Sequence, residues 1–220
     1  MQRVRVWDLP TRICHWGLVL CISGAYLTGE YGWLDMQWHF WFGYGVLGLV
    51  LFRILWGFVG GEYARFNRFL RGPEAVLRYV ENWRGASYLG HNPLGALSVI
   101  AMLGAILVQA LTGLFSSDDI EWFGPLAERV SGDTTDLATS IHVQWQIVLL
   151  VLIVLHLLAI AAYRLFKGQN LSAAMFSGYQ PGTASAAPRT APVWLSYVLA
   201  ALCAALVWAI ATYGPPPLAW

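Results

Sequence analysis

Charge is scarce in this sequence: only 11% of its 220 residues are Asp, Glu, Lys or Arg, while 58% are hydrophobic. Ordinary soluble domains carry about 25% charged residues, so the balance excludes a soluble globular fold and points to a membrane protein. The middles of the long apolar runs hold no Asp or Glu; these residues fall in connecting segments or near run ends. That absence argues against a proton-coupled transporter working through a relay of intramembrane carboxylates. Cysteine is equally sparse. Cys14, Cys21 and Cys203 lie in or beside apolar runs, make no disulfide framework, and read as small buried hydrophobes. Cys14-His15 looks like the end of a C-x-x-C-H haem-attachment signature, but position 11 is Thr, so covalent attachment is excluded.

What is present is five apolar stretches long enough to span a bilayer, at residues 10–28, 36–59, 93–115, 138–166 and 193–213. Asp8 is the candidate cap of the first, with Pro10 tolerated in its first turn. Asn92-Pro93 opens the third, and Gly214-Pro215-Pro216-Pro217 follows the last. No strand pattern competes. The run 13–28 lies between Arg12 and Glu30, holds His15 and shows no A-x-A site, so it reads as a retained first helix and not as a cleaved signal. Residues 168–192, with Asn170, Gly178, Pro181, Gly182, Ser185, Pro188 and Pro192, read as a cytoplasmic linker. The expected fold is all-α: a four-helix transmembrane bundle over residues 1–167, then the linker, then a fifth C-terminal transmembrane helix and short outer tail over 193–220. The fifth helix holds no His, Lys, Arg, Asp or Glu, which predicts a place at the periphery or against a partner subunit.

Basic residues set the orientation. Arg3, Arg5 and Arg12 precede the first stretch; Arg65, Arg68, Arg71, Arg78 and Arg84 fill the second loop; Arg164 and Lys167 follow the fourth stretch. The alternate loops are acidic, with Glu30 and Asp35 in one, and Asp118, Asp119, Glu121, Glu128, Asp133 and Asp136 against Arg129 in the other. A cytoplasmic N-terminus and, with five spans, an outer C-terminus follow. Trp33, Trp38 and Trp122 fall at the outer rim and Trp7, Trp16, Trp56 and Trp83 near the inner one, as interfacial belts require.

His142 and His156 are fourteen residues apart on one apolar stretch. Fourteen steps fall about 40° short of four full turns, so both imidazoles share one helix face, about 21 Å apart along the axis. With the topology above, His39 and His142 open their helices near the outer side, while His15 and His156 lie near the inner side. Two depth-matched pairs, His39 with His142 and His15 with His156, suit two stacked non-covalent b haems with bis-histidine ligation, a state fitted to electron transfer. Any one of these histidines alone reads as a satisfied interfacial or carbonyl-bonded side chain. Arg53 follows His39 by fourteen residues and returns to the same face at the inner depth. It either meets a haem propionate or snorkels to inner headgroups. His91 precedes Asn92-Pro93, outside the helix. It reads as a solvated interfacial histidine, with propionate binding, a quinone pocket or ligation in place of His15 as the alternatives. Gly43, Gly45, Gly48 and Gly104 make room for porphyrin or serve helix packing, the latter being the default.

These residues sit in recognisable segments. Val6-Trp7-Asp8-Leu9-Pro10-Thr11-Arg12 leads to His15-Trp16; Arg53-Ile54-Leu55-Trp56-Gly57 follows; then Ala64-Arg65-Phe66 with Gly72-Pro73, and Gly90-His91-Asn92-Pro93-Leu94-Gly95. With the fourth-stretch histidines, they make residues 3–180 resemble the bacterial di-haem cytochrome b561 family, which includes the b-type cytochrome subunits of nickel–iron hydrogenases. The resemblance implies a four-helix haem-binding core in the bacterial inner membrane. Two haem b groups, on His15, His39, His142 and His156, would exchange electrons between the quinone/quinol pool and a periplasmic redox partner, either cytochrome c or a hydrogenase-like subunit. The acidic outer loop, 118–136, either attracts a lysine-rich cytochrome c or is acidic because Lys and Arg are kept inside. For the quinone, His91 with the arginine-rich inner loop is one candidate and the outer haem edge the other.

Overall fold

The computed structural model describes residues 3–183 and 188–213; Ser185 of the expected linker and the Gly214–Pro217 tail lie outside them. Five long helices dominate. Helix α1 (Leu9–Tyr31) is opened by Asp8, whose Oδ1 accepts from the Thr11 N–H at 2.9 Å. It runs three residues past the expected end and stops at Gly32, whose φ of +58° suits a residue without Cβ. Helix α2 (Met36–Val59) is capped by Asp35, which accepts from the Gln37 N–H at 2.9 Å. The arginine-rich connection that follows is not plain loop. It holds a short helix α3 (Phe66–Phe69) and the amphipathic α4 (Pro73–Glu81).

Helix α5 (Pro93–Gly113) starts where Asn92 accepts from the Gly95 N–H at 2.9 Å. Helix α6 (Gly132–Lys167) begins six residues before the apolar run, because Ser131 caps it and Asp133 sits in its favourable first turn. Its 36 residues make it about 54 Å long, well beyond a hydrocarbon core of about 30 Å. His142 therefore lies about three turns inside α6 and does not open it. After Gly168, with φ +65°, comes α7 (Leu171–Ser177), capped by Asn170. Last is α8 (Val193–Tyr213).

Two expectations need correcting. The sequence shows no strand pattern, yet β1 (Arg3–Arg5) pairs antiparallel with β2 (Tyr179–Pro181), Val4 opposite Gln180. Three residues are too few for a two-residue period to register. For the same reason 168–192 is not a structureless linker: α7 and β2 fold back beneath the start of α1. The Val6 and Trp7 N–H groups donate to the Gly178 carbonyl at 2.8 and 3.1 Å. Arg12 donates to the last carbonyls of α7, Met175 and Phe176, and Trp16 stacks on Phe176 at 4.1 Å.

Among the described residues four helices, α2, α5, α6 and α8, are by length and composition able to cross a membrane. Helix α1 is as long but carries Arg12, His15 and Glu30. The core joins Val46 and Val50 of α2, Leu103 and Ile106 of α5 and Leu149 of α6, with Leu18 and Ile22 of α1 packed against it. Helix α8 lies on α2: Cys203 meets Cys14, Phe52 and Trp56 in one cluster, and Val207 meets Leu47 in another. Along α6, Ile147, Val151, Val154, Leu155 and Leu158 are exposed, which is the face a lipid-embedded helix offers its solvent. The chain is a multi-pass helical membrane protein.

Candidate functional site

Helix α1 packs along α2, and α5 along α6. Between these two ranks four imidazoles meet in two layers. His39, in the first turn of α2, faces His142 of α6 with ring centroids 6.1 Å apart. His15, in the second turn of α1, faces His156 of α6 at 6.4 Å. One helix thus contributes to both layers.

The His39–His142 layer, the outer one in the expected topology, is held by backbone. His39 Nδ1 lies 2.8 Å from the Ala25 carbonyl of α1, and His142 Nδ1 lies 2.9 Å from the Gln109 carbonyl of α5. A carbonyl only accepts, so each proton sits on Nδ1 and each Nε2 is left as a lone-pair donor. Gln109 also donates its amide to the His142 carbonyl at 2.9 Å. Two glycines fit these rings. A Cβ at Gly29 would stand 2.7 Å from His39 Nδ1, and one at Gly113 would stand 2.8 Å from His142 Cε1. Nothing in the sequence singles out this pair, because each is small for the sake of a side chain on another helix. Of the glycines singled out by sequence, a Cβ at Gly45 would stand 2.9 Å from Cys21 Sγ of α1 and one at Gly48 would stand 3.8 Å from Val207 of α8, so both serve packing. A side chain at Gly43 or Gly104 would meet nothing within 4 Å.

The inner layer is marked by unpaired polar atoms. His15 Nδ1, Trp16 Nε1, Arg53 Nη1, Arg65 Nε and His91 Nδ1 are buried without a hydrogen-bond partner. Such atoms are rare in folded proteins and call for an explanation. Arg53 does not snorkel: it is only 6% exposed, its guanidinium stands 5.5 Å over the Phe66 ring, and no carboxylate pairs with it. Among the described residues the one ion pair is Arg78 with Glu74. His91 is not a solvated histidine either. Its ring is wedged between Trp7, at 4.7 Å, and Phe69, at 4.5 Å. Burial, with Arg53 and His156 nearby, pushes it down to about 3, so it is neutral at physiological pH. Sequence reasoning missed both walls, since Trp7 and Phe69 reach His91 from distant segments.

These features fit a planar metal cofactor with carboxylate arms. A metal–imidazole bond is about 2 Å long, so two imidazoles on opposite sides of one metal have centroids about 6 Å apart, the spacing seen in both layers. Each layer offers two protein ligands; among the described residues no three His, Cys, Asp or Glu side chains converge. A tetrahedral site needs four ligands, whereas a macrocycle brings its own. The unpaired Arg53 and His91 donors suit carboxylates at the inner layer.

The acidic loop 118–136 is partly committed to its own fold. Asp118 Oδ1 accepts from the N–H groups of Ile120, Glu121 and Trp122 at 3.0, 3.0 and 2.8 Å, and Asp119 adopts a positive φ of 59°.

Comparison with known proteins agrees with the motifs. The family model described as prokaryotic cytochrome b561 matches residues 6–178. A probable Ni/Fe-hydrogenase B-type cytochrome subunit from Azotobacter chroococcum mcd 1 is 26% identical over 216 residues, covering 80% of this chain and 88% of its own length. No solved structure matches the chain. The layered histidines, the motifs around them and a family match over most of the chain lead to one conclusion: the protein belongs to the prokaryotic cytochrome b561 family, and is a multi-pass membrane cytochrome b, a haem protein of electron transport.

Proposed function

We propose that this chain is a di-haem b-type cytochrome that moves electrons across the bacterial inner membrane between the quinone/quinol pool and a periplasmic redox partner. The observation that carries the reading is the two imidazole pairs, at 6.1 and 6.4 Å, stacked along α6. His39 with His142 hold one haem b and His15 with His156 the other. Haem b, when bound, supplies a one-electron iron couple. The residues supply the rest. Carbonyls of α1 and α5 lock the outer imidazoles in one tautomer and present Nε2. Two histidines per site, His39 with His142 and His15 with His156, would hold each group and leave no open coordination position for oxygen chemistry. Arg53 would neutralise and bind a carboxylate arm at the inner site, and the neutral His91 would offer such an arm a hydrogen bond. Helix α6 fixes the separation of the two sites, about 21 Å along its axis.

The arrangement read from the basic loops belongs to the same proposal. Helices α1, α2, α5 and α6 form the di-haem core over residues 1–167, and α8 is a fifth span in 193–220. Between them, 168–192 lies on the cytoplasmic side. The N-terminus faces the cytoplasm and α8 ends outside. A hydrogenase-type oxidoreductase is the second reading of the partner, favoured by the name of the Azotobacter relative; a soluble cytochrome c is the first.

A reduced-minus-oxidised spectrum with a pyridine haemochrome assay tests the core of this reading. Two non-covalent b haems per chain are expected. Protein made with ample haem that holds none overturns the ligand assignment. Whether a hydrogenase-like subunit co-purifies, or a soluble cytochrome c is reduced, decides the partner.

A further inference from the structure

We infer that the cleft beneath α3, at the end of the bundle that carries Lys167, binds the phosphate of an anionic phospholipid. The cleft holds about 210 Å³ and opens at the surface. Phe69 and Leu89 give it apolar walls, Tyr63 and Tyr88 line it with phenols, and Arg68 and Arg71 bring two guanidinium groups. Neither arginine has a carboxylate partner; among the described residues the single ion pair is Arg78 with Glu74. The acid in the lining, Glu62, accepts from the Arg189 backbone N–H at 3.0 Å. Two unpaired guanidinium groups over apolar walls match a phosphodiester, whose oxygens take the arginine fork bidentately. A neutral quinone carbonyl needs only one donor and gains little from two full charges.

The neighbourhood supplies the acyl chains' half of the site. Leu77 and Val80, three residues apart on one face of α4, are 63% and 51% exposed, and Leu70 beside them is 39% exposed. Arg78 and Glu74 pair beside Leu77 on the exposed side of α4. A short amphipathic helix of this kind in a membrane protein lies at the headgroup boundary. Basic pockets at that level recognise anionic headgroups. The inference rests on this end of the bundle meeting the headgroup layer, as proposed above; His91, placed above at the inner haem site, also lines the cleft, and the phosphate is therefore assigned to Arg68 and Arg71 alone.

Native mass spectrometry of the purified, haem-loaded full chain tests it, with equimolar phosphatidylglycerol and phosphatidylcholine as probes. The expected result is one phosphatidylglycerol retained in preference to phosphatidylcholine. That preference should fall about tenfold in R68Q/R71Q, fall less in R68K/R71K, which keeps the charge but loses the fork, and persist in R84Q. Arg84 is the control because it stacks over Trp83 and Phe166 away from the cleft lining. Equal retention of both lipids overturns the site, as does a preference intact in R68Q/R71Q. Equal loss in R84Q assigns the effect to diffuse positive charge and also overturns it. Displacement by inorganic phosphate would assign the cleft to a soluble anion, and displacement by a short-chain quinone to a quinone headgroup; either result overturns the lipid. Should R68Q/R71Q not fold, the R68K/R71K comparison decides. Haem absorbance on the same samples keeps the two readings apart: a failed lipid site leaves it unchanged, and a failed haem assignment leaves lipid preference intact.

Discussion

His39 of α2 and His142 of α6 face each other with ring centroids 6.1 Å apart. Each is pinned at Nδ1 by a carbonyl of a third party, Ala25 on α1 and Gln109 on α5. All four core helices therefore take part in the outer site.

Removing either partner should empty that site alone. His39→Ala and His142→Ala are each expected to halve the haem per chain, read by pyridine haemochrome on folded, monodisperse protein. Loss of both haems from protein whose helical circular dichroism is intact would contradict the pairing.

The glycines facing the rings offer a test without touching a ligand. Gly29→Ala or Gly113→Ala places a methyl 2.7 or 2.8 Å from an imidazole atom, and such overpacking costs about 1–3 kcal/mol. Both variants should melt earlier and show a perturbed or missing outer-haem signal in a redox titration. Gly43→Ala, with nothing within 4 Å, should match the parent in both measurements.

Arg53 should tune the inner site. It is buried, carries an unpaired Nη1 and has no carboxylate partner. A nearby cation favours the reduced, less positive iron, so Arg53→Met is expected to lower the midpoint potential of one haem by tens of millivolts, where about 59 mV is tenfold for one electron. The other haem should hold its value. Equal shifts in both, or none, would remove Arg53 from the inner site.

His91→Ala should retain two haems, since His15 and His156 already form the inner pair at 6.4 Å. Its cost is in packing between Trp7 and Phe69, seen as a lower melting temperature. A missing haem in folded protein would make His91 a ligand in place of His15.

Asp8 joins two helices: it accepts from the Thr11 N–H and, at 3.0 Å, from Trp56 Nε1 at the end of α2. Asp8→Ala loses a cap worth about 1 kcal/mol and strands a buried indole N–H at about 1–3 kcal/mol. Thermal unfolding followed by tryptophan fluorescence should register the sum.

The sequence was most readable where one local period or one cap governs the chain. The apolar runs 36–59 and 193–213 coincide with α2 and α8, and the fourteen-residue spacing places His142 and His156 on one face. The family resemblance carried by the motifs of residues 3–180 is borne out by the family match. It was least readable where a residue's environment comes from far along the chain. His91 looks solvated until Trp7 and Phe69 close on it, and Arg53 looks free to snorkel until Phe66 covers it. The strand Arg3–Arg5 exists only because residues 179–181 return to it. Gly29 and Gly113 carry no signal because their partners lie ten and twenty-nine positions away on other helices.

The short pairing of β1 with β2 also sets an order of events. Residues 3–5 leave the ribosome before their partners at 179–181, which come after helices α1, α2, α5 and α6. Until then the Val6 and Trp7 N–H groups lack the Gly178 carbonyl, Arg12 lacks the end of α7, and Trp16 lacks Phe176. The floor beneath His15 and His156 thus closes only after the helices above it have been made, and a chain stopped before residue 178 is left with that end open.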